Sequence, residues 1–143
     1  MLGGVSGERE QNWCPIGKAG WFTQRIREGI EVTARQLGLL QPALAQPGRL
    51  DDATVAPIIR VHQDQAGDLM LFQNQAGRWN AEPGLTPAQR AAVREYEAAI
   101  GELRRLNAEV LAAAGLLKPV TIEALLRGWP GTGLSSNGTG QGR

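Results

Sequence analysis

Cysteine and histidine are each present once in this 143-residue chain. With Cys14 alone, no disulfide can close within the chain and no thiolate metal cluster can assemble. With His62 alone, a Ser/His/Asp or Cys/His arrangement has a single candidate base, far along the chain from Cys14. Pro15 forces Cys14 out of helical geometry, and its thiol reads as an ordinary loop cysteine rather than a nucleophile. Charge of one sign is also lacking, with fifteen basic residues against fourteen acidic ones for a net of +1. Nucleic-acid domains draw most of their affinity from basic patches, and Thr86 to Ala114 sets four arginines against four glutamates. A nucleic-acid partner is therefore not expected.

Long apolar runs are missing as well. The longest outside the glycines is "VLAAA", Val110–Ala114, far short of the ~20 residues that span a bilayer, so no membrane association is expected. The start, "MLGGVSGEREQ", has no apolar core of a signal peptide. The expected location is cytoplasmic, or incorporated in a virus particle. Aromatic residues make up only 5% of the chain, yet four of the seven are tryptophans, Trp13, Trp21, Trp79 and Trp129. Such rings anchor cores and interfaces.

What is present is periodic. From Ala19 to Leu40, the residues Phe22, Ile26, Ile30, Thr33, Leu37 and Leu40 recur at steps of three and four, which predicts an amphipathic helix. Pro42, Pro47 and Gly48 end it. The next stretch, "HQDQAGDLMLFQNQAGRW", nearly repeats itself after ten residues. A helix there would carry Val55, Ile59, His62, Ala66, Leu69, Gln73 and Ala76 on one stripe. It would also hold Gly67, Gly77, Pro57 and the polar run "QNQ". The β-branched "IIRVHQ", the short apolar "DLMLFQ" and the turn-like "DQAG" and "NQAG" fit strands better. They predict a three-stranded antiparallel meander over Pro57–Gln63, Asp68–Gln73 and Arg78–Asn80, with Gly67 and Gly77 at positive φ.

"LTPAQ" is a helix start: Thr86 as N-cap, Pro87 at the first position and Gln89 closing a capping box. The helix is expected to end at Gly115, with a short helix over Thr121–Leu126 beyond. The fold expected is thus α+β with helix predominating: an extended arm (1–18), a single domain (19–128) and a Gly/Ser-rich tail (129–143). The alternative is an all-α helical bundle.

No motif carries a reaction. "GWPGTGLSS" lacks the Gly-Lys-Ser/Thr ending of a phosphate loop. Asp51-Asp52 has no His or Cys beside it and reads as a turn or helix cap. No catalytic, cofactor or metal site is expected. On the long helix, Val93, Tyr96, Ile100, Leu103, Asn107 and Val110 form a strict a/d line, with Asn107 at an a position where an amide can set register. This line is either core or the seam for a second helix. "ELRRLNAEVL" on that helix resembles flagellar export chaperones, from which the helix-poor reading of the middle departs. "EVLAAAGLLKPVTIEALLRG" is similar to the C-terminal end of small helical bacterial proteins of no known activity, and neither resemblance carries a function. The expected function is a non-enzymatic interaction or assembly subunit acting through the long helix and its arms, such as a structural part of a phage particle. Its partner is then another protein or a second copy. The alternative is an accessory, regulatory or chaperone-like partner of an enzyme or export system.

Overall fold

The computed structural model describes residues 13–128, so residues 1–12 and the tail from 129, with Trp129, lie outside the described part. Four α-helices follow in order: α1 (Ala19–Ala43), α2 (Asp52–Asn80), α3 (Pro87–Leu117) and α4 (Ile122–Arg127). Short 3₁₀ turns, Ile16–Lys18 and Lys118–Val120, precede α1 and α4. Among the described residues there is no strand.

The expected meander is therefore corrected: the fold is all-α, and Pro57–Gln63, Asp68–Gln73 and Arg78–Asn80 are consecutive parts of one 29-residue helix. The physical reason is a stripe that shares Val55, His62, Leu69 and Ala76 with the one read from the sequence but takes Ile58, Gln65 and Phe72 in place of Ile59, Ala66 and Gln73. Val55, Ile58, His62, Leu69, Ala76 and Trp79 are buried, with Gln65 and Phe72 half-buried on the same line. These steps of three and four continue without a break, whereas Ala66 and Gln73 face outward. In that register the stripe includes Phe72 and Trp79, so it has substantial apolar surface to bury. Gly67 and Gly77 are exposed helical positions where an added Cβ would meet nothing within 4 Å. Positive φ among the described residues occurs instead at Gly48 and Gly84, in the loops before α2 and α3.

The helix ends follow local chemistry. Asp51 caps α2, its Oδ1 accepting from the Thr54 N–H at 2.9 Å and the Thr54 hydroxyl at 2.6 Å. These two bonds, the hydroxyl first, hold the Asp51 carboxyl below its usual range. Pro57 and Pro42 lie inside α2 and α1, but each near an end, where one missing N–H interrupts little of the ladder. At α3 the capping box forms as expected: the Thr86 N–H donates to Gln89 Oε1 at 2.9 Å, and the Gln89 N–H to Thr86 Oγ1 at 3.1 Å. Gly115 does not end α3, which runs on to Leu117. Pro119 sits in the 3₁₀ turn that follows.

The described residues fall into two compact units, 13–31 with 66–105 and 32–65 with 106–128. In the first, Ile26 of α1, Leu69, Ala76 and Trp79 of α2, and Val93, Tyr96, Ile100 and Leu103 of α3 share one apolar core. The Trp79 and Tyr96 rings meet edge to face with centroids 4.9 Å apart, a geometry their quadrupoles favour. In the second unit, Leu37, Leu40, Val55, Ile58, Leu106, Val110 and Leu117 are buried. There the loop before α2 is tied to the segment before α4. The Gly48 N–H donates to the Val120 carbonyl at 2.7 Å, and the Ile122 N–H to Leu50 at 2.9 Å. Thr121 caps α4 and also donates its hydroxyl to Asp52 at 2.6 Å.

Candidate functional site

The polar residues that looked most like chemistry are committed to structure. His62 is buried, with Nδ1 2.9 Å from the Ile58 carbonyl one turn back. Asp51 caps α2, and Asp52 is bound by Thr121 and paired with Arg127 at 3.4 Å. The a/d line of α3 is equally committed. Val93, Tyr96, Ile100, Leu103, Asn107 and Val110 are each between 0 and 3% exposed within the single chain. The structure brings the first four together in the core of the first unit and places Asn107 and Val110 inside the second.

Two other places stand out. The first is the outer side of α1 in the second unit. Val32 and Leu39, one heptad apart, are 53% and 68% exposed. With Arg35, Gln36 and Gly38 they line a shallow groove of about 480 Å³. The adjacent side of the same helix buries Thr33, Leu37 and Leu40. Helix α1 is thus apolar on two sides, and the fold uses one of them.

The second lies in the first unit, where residues 13–15 form a strap against α2. Gln75 and Trp79, one turn apart on α2, hold it from one face. The Cys14 N–H donates to Gln75 Oε1 at 2.8 Å, and Trp79 Nε1 donates to the Cys14 carbonyl at 2.9 Å. The Arg78 guanidinium stands over the Trp13 ring, 4.5 Å from its centroid, a cation–π arrangement. Cys14 thus acts here through its backbone. Beside the strap is a crevice of about 320 Å³ walled by Phe22, Leu71, Phe72 and Tyr96, with Trp13, Cys14 and Gln75 at its edge. Burial, with Cys14 nearby, pushes the Tyr96 phenol well above its ordinary range. It stays protonated and donates to the Phe72 carbonyl at 3.0 Å.

The polar atoms of the strap are not all satisfied. Trp13 Nε1 and Gln75 Nε2 are both buried without a hydrogen-bond partner among the described residues. Gln75 as a whole is 8% exposed, and its amide orientation is fixed because Oε1 already accepts from Cys14. An unmet buried donor costs about 1–3 kcal/mol, so two in one place are out of the ordinary.

Comparison with known proteins finds no matching family model, no matching curated protein and no matching solved structure. Function has to be argued from the surface itself.

The sequence reading did not find the crevice. From sequence, "NQAG" with Gln75 reads as a turn, and Trp13 falls in the extended arm. The available signal was the "QAGRW" spacing, which on a helix sets Gln75 and Trp79 one turn apart. No described helix is long and apolar enough to cross a membrane.

Proposed function

We propose that this protein is a non-enzymatic interaction subunit that serves as an accessory or regulatory partner in a larger protein assembly, docking a helix of its partner on the outer side of α1. The observation that carries this reading is the second apolar side of α1. Val32 and Leu39 are exposed at the heptad spacing at which helices pack side by side. Exposed apolar residues scattered singly mean little, but a line of them beside a groove marks an interaction surface. Arg35 and Gln36 supply the polar edge that such interfaces carry. The short helix α4 adds exposed Ile122, Leu125 and Leu126 in the same unit. The other form of the reading, an assembly subunit joined through the α3 line, has less support, because that line is buried within the chain. The arms it also invoked lie largely outside the described residues.

The test is a double substitution, Val32→Glu with Leu39→Glu. Both side chains are exposed, so the variant is expected to melt within about 0.5 kcal/mol of the native chain. Tagged native chain, cross-linked and purified from its source cell, is expected to bring one protein in fixed stoichiometry, and the double variant to lose it. Retention of that protein by the folded variant would remove the α1 side as the docking surface.

A further inference from the structure

We propose that the crevice beside the strap is a binding site for a small apolar carboxylate, with the hydrocarbon seated against Phe22, Leu71 and Phe72 and the carboxylate received by Trp13 Nε1 and Gln75 Nε2. This goes beyond the interaction reading and does not rest on it, since it concerns the other unit and another face. Three observations carry it. Trp13 and Gln75 border the same crevice, and each buries an N–H donor with no partner among the described residues. Two unmet donors call for a ligand that accepts twice, and a carboxylate has two oxygens and no donor. Charge points the same way. Arg78 stands 4.5 Å from the centre of the Trp13 ring and makes no ion pair among the described residues. It also borders the wider hollow that Trp13 and Gln75 share. Glu82 borders that hollow too, but it is the guanidinium that stacks on the donor-bearing ring.

Size and lining fit a small molecule. A volume of about 320 Å³ is at the lower end for ligand pockets, which are mostly apolar with a few placed polar groups. The two donors are shielded from solvent, and the strap is bonded to α2 at Cys14 through both its N–H and its carbonyl. Binding requires the Trp13 side chain to shift for the carboxylate to reach the donors, with those two bonds kept. A free acid and the C-terminal carboxylate of a polypeptide share this chemistry.

Calorimetric titration of the native chain with phenylacetate is expected to give saturable binding, and phenylacetamide, equal in shape but neutral, is expected to give none. A short peptide ending in a free phenylalanine carboxylate, compared with its amidated form, separates the two sources: heat from the free-ended peptide assigns a polypeptide terminus, and heat from phenylacetate alone assigns a free acid. Trp13→Phe keeps the ring and removes one donor. Gln75→Glu keeps the acceptor for Cys14 and replaces the other donor with negative charge. Each is expected to weaken binding by about tenfold or more. Arg78→Gln, on an exposed side chain, gives a third variant should Gln75→Glu fail to fold. Absence of saturable binding by either acid, equal binding of the amides, or unchanged affinity in all folded variants would overturn the assignment.

Discussion

Asn107 illustrates how one residue can stand out in a sequence while its partner stays open. On the a/d line of α3 it reads as part of the core or as a register device between two chains. In the fold its amide nitrogen donates to the His62 carbonyl at 3.0 Å, and its Oδ1 accepts from Gln65 Nε2 at 2.7 Å. Gln65 also reaches Thr33 Oγ1 at 3.4 Å, so the polar residues of three helices answer one another inside a single chain. Asn107→Leu removes both bonds and strands the Gln65 donor. A loss of about 1–3 kcal/mol in a denaturant melt is expected, with the mass by light scattering unchanged. A gain in stability together with a shift in mass would instead place the amide at a contact between chains.

At the scale of the element, α2 is where stability and sequence pattern disagree most. Its glycines at 67 and 77 have open space where a Cβ would stand. Gly67→Ala and Gly77→Ala are each expected to raise stability by up to ~1 kcal/mol through helix propensity. Gly48 behaves oppositely. Its φ of 84° suits glycine, and an added Cβ would come 3.2 Å from Leu125 Cδ1. Gly48→Ala is expected to cost more than ~1 kcal/mol, measured in the same urea titrations. If all three alanines destabilised alike, a continuous helix over 52–80 would be untenable.

For the whole molecule, charge makes the simplest statement. Fifteen basic and fourteen acidic residues leave a net of +1, and counterion release needs several clustered cations to yield useful affinity. The native chain is expected to pass a duplex-DNA column unretained at ~0.15 M salt. Retention that falls steeply with added salt would reveal a basic patch gathered in three dimensions. The two proposed surfaces lie in different units, so a substitution at Val32 or Leu39 is expected to leave phenylacetate binding as it was.

By itself the sequence determined α1, the capped start of α3 and the apolar a/d period of α3. Each of these is encoded within a few residues, by a period of three and four or by a side chain reaching its own backbone. It did not determine α2. There the local signals, β-branched residues and two glycines in turn-like phrases, favour one outcome and the long-range burial of Phe72 and Trp79 favours another. Tertiary structure decides such conflicts because burying a tryptophan and its neighbours is worth several kcal/mol, more than the ~1 kcal/mol each glycine costs a helix. The crevice was illegible for a related reason. Its donors come from residue 13 and residue 75, and only the packing of a strap on a helix leaves both without partners in the same place.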